Sequence, residues 1–189
     1  MTEPTDEPDG VPEGWADQLR ANRAEKDDFF AEHPQSPIPP EEREDFDGLD
    51  YFDPDPASRV EATVTVHEDP ETLDLETSHG PDIAYERVVT FSFDLDGETY
   101  DLAGYRRPDE DTPTVFVPFR DKTTGQQTYR DGRYMELEPD RDLADGDRVV
   151  IDFNLAYSPF CAFSDTFSCP LPPEENWLET TVPAGEKEY

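Results

Sequence analysis

Lysine occurs at only three positions, Lys26, Lys122 and Lys187, and isoleucine also at three. Against 15 basic residues stand 48 acidic ones, a formal net charge of −33 over 189 residues. The scarcity of basic clusters excludes nucleic acid as a partner, because neutralising phosphates needs grouped Lys and Arg. An anionic membrane surface repels such a chain, and no apolar run approaches the ~18 residues that span a bilayer. The opening MTEPTDEPDG lacks both a basic and an apolar region, so no secretory signal is expected and the protein is expected to be cytoplasmic. Two cysteines are too few for a disulfide framework, and reduced thiols are the default there. The strong catalytic signatures GxGxxG, GxxxxGK, HExxH, GxSxG and CxxC are all missing. Three histidines lie in acidic loops or at a strand end, too few ligands for zinc, so no metal or cofactor is implied.

Leu, Ile, Val and Phe together number 37 of 189, which at this charge is the composition of a disordered chain. Their placement argues for a folded one. Residues 1–60 hold 18 acids against 5 bases, whereas 112–135 contain only Asp121 and Asp131, and 151–173 only Asp152 and Asp165. This is the pattern of an apolar core under an acidic coat. An acidic surface poor in Lys and Ile resembles proteins of extremely halophilic archaea, whose cytoplasm holds molar salt. There the Debye length is about 3 Å and self-repulsion is tolerable. The charge then reports a habitat and says little about a partner.

Residues 1–13 read as a disordered acidic tail and 14–189 as a single β-rich domain. Within it, 14–58 give an N-terminal helix, ending before Pro34, and a Pro-rich extended arm anchored by Phe46, Leu49, Tyr51 and Phe52. From residue 59 the apolar period becomes two. Val60, Ala62, Val64 and Val66 alternate with polar residues. Asp96-Gly97 suits a two-residue hairpin turn that pairs Leu95 with Glu98, Phe93 with Tyr100 and Phe91 with Leu102. VFVPF (115–119) is another strand. Asp131-Gly132 predicts a second hairpin pairing Tyr129 with Tyr134. RVVIDFNLAY predicts a strand over 148–157, with Asp152 and Asn154 on one face about 7 Å apart. The sheet spans 59–157, and an irregular Pro-rich tail, 158–189, wraps it. The fold class is mainly β, an antiparallel sandwich or small barrel with an N-terminal helix.

Four features carry candidate chemistry. Cys161 and Cys169 in CAFSDTFSC are packed structural thiols, a redox or nucleophilic pair, or metal ligands. RDKTTGQQTYRDGR (120–133) concentrates Arg120, Lys122, Arg130 and Arg133 against two aspartates, a cationic spot for a carboxylate or phosphate or else a set of internal ion pairs. Asp152 and Asn154 either line a pocket or face solvent. Lys187, in a chain that avoids lysine, points to a specific ion pair.

The chain also resembles an uncharacterised prokaryotic family, domain of unknown function 1684, over roughly residues 15–189. The resemblance rests on Ser36-Pro37, FDGLDYF, VFVPFRDKTTG, TYRDGRYMEL, IDFNLAYSPFCAF, SCPLPPEENWL and AGEKEY. Thr124 and Ser158 stand where the pattern has Ser and Asn, and both keep hydrogen-bonding capacity. The resemblance implies no activity. It implies a characteristic surface within 115–187 carrying Arg120, Asp121, Thr128, Tyr129, Arg133, Tyr134, Asp152, Asn154, Tyr157, Cys161, Cys169, Asn176, Glu186 and Lys187.

The function expected from these readings is binding of a small anionic molecule. Arg120 and Arg133 hold the charge, while Asp152, Asn154 and Tyr157 orient the rest. An enzyme using Cys161 as nucleophile or redox thiol is the first alternative. A protein-interaction module using the arm or the tail is the second. The sequence does not give the oligomeric state.

Overall fold

The computed structural model describes residues 10–189, so the expected disordered tail lies largely outside the described residues. Helix α1 runs Trp15–Glu32, followed by β1 (Arg59–Leu75), β2 (Ile83–Leu95), β3 (Glu98–Arg106), β4 (Val115–Phe119), β5 (Arg133–Leu137) and β6 (Arg148–Asp152). All pairings are antiparallel, in one six-stranded sheet of order β5-β4-β3-β2-β1-β6, curled into a half-barrel. The expected mainly β, antiparallel class holds, as a single open sheet in which β5 and β6 are the edges and do not pair with each other.

Alternation builds the core. Val60, Ala62 and Val64 of β1 turn inward beside Phe91 and Phe93 of β2, while Glu61, Thr63 and Thr65 face solvent. The β2–β3 hairpin has the predicted register, with Phe91 opposite Leu102, Phe93 opposite Tyr100 and Leu95 opposite Glu98. Its turn residues Asp96 and Gly97 sit at φ 53° and 83°, the left-handed pair that a type I′ turn requires.

The second predicted hairpin is different. Gly132 N–H does close a turn onto the Tyr129 carbonyl at 3.0 Å, but Tyr129 and Tyr134 do not pair as strands. Phe119 pairs with Arg133, so the whole stretch 120–132 is one long loop joining β4 to β5, and Tyr134 bridges to Tyr157. The last predicted strand also stops early, at Asp152. The Asp152 carboxylate accepts from the Asn154 backbone at 3.0 Å and caps a 3-10 turn over Phe153–Leu155. Asn154 becomes buried and Leu155 is 54% exposed, which settles for these two the question of faces that the sequence leaves open.

Helix α1 is the predicted one, but polar groups dock it as much as its buried Leu19 and Phe30. Arg23 donates to the Phe52 carbonyl at 2.8 Å, and Asp27 accepts from the Leu49 backbone at 2.9 Å. The arm and the C-terminal tail then run as partners. Phe52 N–H donates to the Gly185 carbonyl and Lys187 N–H to the Asp50 carbonyl, both at 2.9 Å. Gly185 sits at φ 81°, where a Cβ would stand 2.6 Å from the Ala156 carbonyl oxygen. Only glycine allows so close a backbone approach.

Candidate functional site

The β4–β5 loop organises around the buried carboxylate of Asp121. It accepts from the Thr123 hydroxyl at 2.8 and 2.9 Å and from the Val182 backbone at 2.6 Å, and it pairs with Arg133 at 3.5 Å. Arg133 is 1% exposed. Its guanidinium donates to the carbonyls of Ala184, Glu186 and Val182, and it lies over the Phe119 ring. Burial pulls its pKa down, and Asp121 opposes that. Arg133 is thus a strut that pins the tail to the sheet, with both terminal nitrogens spent on tail carbonyls and only Nε unpaired. The expected role of holding a ligand's charge does not fit that position.

Arg120, the residue directly after β4, is placed differently. Its backbone is clamped to the tail, N–H to the Asn176 carbonyl at 3.0 Å and C=O from Leu178 N–H at 2.8 Å. That clamp sets the guanidinium over the Trp177 ring, 4.9 Å from its centroid. Arg120 Nε is buried and has no hydrogen-bond partner, and no carboxylate among the described residues pairs with the guanidinium. Together with Lys122, Thr124, Arg130 and Trp177 it lines an open cavity of 280 Å³. Lys122 and Arg130, both exposed, reach Glu179 and Asp131 only at 3.8 Å, so both pairs are weak. With Asp121 neutralised by Arg133, cations outnumber anions at this place in a chain of −33.

The remaining expected residues separate into structural sets. Asp152 receives Arg59 at 3.1 Å and the Trp15 indole at 3.0 Å. Asn154 donates to the same carboxylate at 2.8 Å and to the Asp55 carbonyl at 2.8 Å, and accepts from Asp55 N–H at 2.9 Å. Asn176 is fully buried, bonded to both backbone groups of Ala103 and to the Pro118 carbonyl. Glu186 is buried against Lys26. Burial raises its pKa while Lys26 opposes the rise. The ion pair expected at Lys187 falls instead to Lys26, and Lys187 sits over the Phe52 ring at 5.0 Å. Tyr157 packs edge-on against Tyr134, and Glu136 beside it, after burial, holds its pKa up. Asp152, Asn154 and Tyr157 therefore do not converge on the Arg120 cavity.

The cysteines form a second centre. Both are free and half-buried. Cys161, on the 3-10 turn Phe160–Ala162, has its sulfur 3.5 Å from the Tyr129 hydroxyl and within hydrogen-bonding reach of the Cys169 thiol and the Ser78 hydroxyl. Those donors, Cys169 foremost, push the Cys161 pKa down to about 6 although no cation is near. The cause is hydrogen bonding to the thiolate. Cys169 shifts strongly upward, because its proton is held between the two sulfurs.

Two further cavities flank the sheet. One of 300 Å³ is walled by Tyr85, Tyr105, Phe116, Tyr134 and Tyr157. Another, of 290 Å³, is an apolar groove between β5 and β6, near the exposed Val150 and Leu155. Among the described residues no group of three or more His, Cys, Asp or Glu side chains gathers to hold a metal, and no helix is long and apolar enough to cross a membrane.

The family model described as protein of unknown function DUF1684 matches residues 44–187. The chain belongs to this family. The match takes in the whole β4–β5 loop, both cysteines and the tail that clamps Arg120. A solution NMR structure of an uncharacterised protein from Haloarcula marismortui is similar over 93% of this chain and 95% of that one, at 71% identity and a TM-score of 0.74. That relative comes from a halophilic archaeon, in keeping with the acidic, lysine-poor composition. A comparison with curated proteins finds no match.

Sequence reasoning on this DUF1684 domain missed three contributors. Trp177 stood inside a quoted motif, yet nothing local ties it to Arg120, more than fifty residues away. Ser78 reaches Cys161 only because Ser78 and Cys169 exchange two hydrogen bonds across the sheet edge, at 2.9 and 3.0 Å. Lys26 gave one signal, its rarity in the composition.

Proposed function

We propose that this domain binds a small anionic molecule, a carboxylate or phosphate compound, in the cavity of Arg120, Lys122, Arg130 and Trp177, and that it works in a cytoplasm of molar salt. The observation that carries the reading is the Arg120 guanidinium, which lies over the Trp177 indole at the cavity wall and has no carboxylate partner among the described residues. An anion in the cavity supplies the charged partner that no described carboxylate gives Arg120. The guanidinium fork suits two oxygens of a carboxylate or phosphate, and the Trp177 ring fixes its plane.

Molar salt sorts the contributions. At a Debye length of about 3 Å the exposed charges of Lys122 and Arg130 are screened, whereas the half-buried Arg120 is not. Arg120 should therefore dominate. A charge-assisted hydrogen bond contributes about 1.5–3 kcal/mol, so Arg120→Gln should weaken binding about 10- to 100-fold. Lys122→Gln and Arg130→Gln should each change it less than about threefold. The test is titration of tryptophan emission with inorganic phosphate and with citrate, at constant molar KCl. Saturable quenching that Arg120→Gln weakens supports the reading. A response that is linear, or equal in wild type and Arg120→Gln, overturns it.

A further inference from the structure

The cysteine pair is the second place where the fold gathers reactive groups, and it lies apart from the Arg120 cavity. Two segments with separate anchors bring the sulfurs together. Cys161 is set by its 3-10 turn, whose Ala162 N–H bonds the Pro159 carbonyl at 2.9 Å. Cys169 is set by its exchange with Ser78, and the next residue, Pro170, accepts the Tyr134 hydroxyl. A pair that merely filled space would be buried among apolar groups. Here both cysteines are only half-buried, and Cys161 has the Tyr129 hydroxyl 3.5 Å from its sulfur, with the Cys169 thiol and the Ser78 hydroxyl beside it. The one anion beside it, Asp131, shares the Tyr129 hydroxyl proton at 3.0 Å.

We propose that Cys161 and Cys169 form a peroxide-reactive dithiol site, with Cys161 as the attacking sulfur and Cys169 as the resolving one. In the first step the Cys161 thiolate attacks one oxygen of a hydroperoxide. An S–O bond forms, the O–O bond breaks, and the leaving alkoxide or hydroxide takes a proton from solvent. Cys161 is now a sulfenic acid. In the second step the Cys169 sulfur gives up its proton and attacks the Cys161 sulfur. An S–S bond forms and the S–O bond breaks, releasing the oxygen as water. With hydrogen peroxide the balance is two thiols and one peroxide to one disulfide and two waters. A small dithiol returns the pair to its reduced state by exchange and is itself oxidised to a disulfide.

The order of attack follows from the hydrogen bonds. Thiolate is the reacting species, and Cys161 is the sulfur with a hydroxyl, that of Tyr129, 3.5 Å away. Hydrogen peroxide is small and uncharged, so neither the half-burial nor the acidic coat keeps it out. Tyr129 and Ser78 touch no reacting atom except through Cys161, and they act as positioning residues.

The experiment treats reduced full-length protein in molar KCl with one equivalent of hydrogen peroxide and reads intact mass. The expected result is loss of two hydrogens, reversed by dithiothreitol. Cys169→Ser should instead accumulate a sulfenic acid that dimedone traps, and Cys161→Ser should react at least about tenfold more slowly than wild type. The urea midpoint of each variant, matched to wild type, confirms folding. On wild type itself, substoichiometric iodoacetamide followed by peptide mapping should label Cys161 at least about tenfold more than Cys169. Formation of no disulfide in folded wild-type protein, or equal labelling of the two cysteines, overturns the proposal.

Discussion

Arg133→Met keeps the length of the buried side chain and deletes its charge and donors. Three consequences follow from the geometry. Asp121, with a side chain 0% exposed, loses its only cationic partner among the described residues. The carbonyls of Val182, Ala184 and Glu186 lose the donor that gathers them. The tail then lacks the tie that holds Gly185 against Ala156. Breaking a buried pair by removing one partner costs about 3–5 kcal/mol, a large share of the ~5–15 kcal/mol that stabilises a typical domain. Arg133→Lys keeps a charge beside Asp121 but cannot fork to three carbonyls, so its cost should be intermediate. In the Asp121→Asn, Arg133→Met double variant no charge is stranded. Its loss should fall short of the sum of the single losses by at least about 1 kcal/mol. Urea unfolding in molar KCl, followed by tryptophan emission, measures these three and the Asp121→Asn single variant. A cost below about 1 kcal/mol for Arg133→Met, or strict additivity in the double variant, would refute the strut reading.

Asn176→Ala leaves two Ala103 groups and the Pro118 carbonyl unmet in the interior, and should cost about 3 kcal/mol in the same urea assay. Gly185→Ala forces a Cβ to 2.6 Å from a carbonyl oxygen at φ 81°, and should lower stability by about 1–3 kcal/mol with faster proteolysis of the tail. Alkylation of Cys161 should reach half its maximal rate near the depressed pKa of about 6, well below the value of an unperturbed thiol. A folded-state pKa below the unfolded one means that this thiolate's stabilisation is present above the unfolded value and is lost as pH falls through about 6. Dilution from molar to millimolar salt should lower the melting temperature steeply, because −33 charges then repel over a Debye length several times longer.

The elements legible in the sequence were those specified by neighbours in the chain. Asp96-Gly97 declares its turn through the backbone angles it tolerates, and the alternation on either side fixes the register. Asp131-Gly132 carries the same dipeptide, yet it ends a long loop, because Arg133 turns inward to meet Asp121 and three tail carbonyls about fifty residues further on. No local pattern announces such partners. The strand over 148–157 failed for a local reason, the capping of Asn154 by the Asp152 carboxylate. The same bond explains why those two side chains touch instead of standing apart on a strand face. For the site, the excess of cations in 120–133 located the Arg120 cavity but did not separate Arg120 from Arg133. Separating them needs the tail, which buries one guanidinium under its carbonyls and lays Trp177 beneath the other.

Side-chain NMR of Arg120 during a titration with inorganic phosphate in molar KCl tests the proposed anion site most directly. The account predicts saturable movement of the Arg120 Nε–H and Trp177 indole resonances, with the Trp15 indole unmoved and the response lost in Arg120→Gln. Resonances of Arg120 and Trp177 that stay fixed, or shifts confined to the aromatic cavity or the groove between β5 and β6, would contradict it.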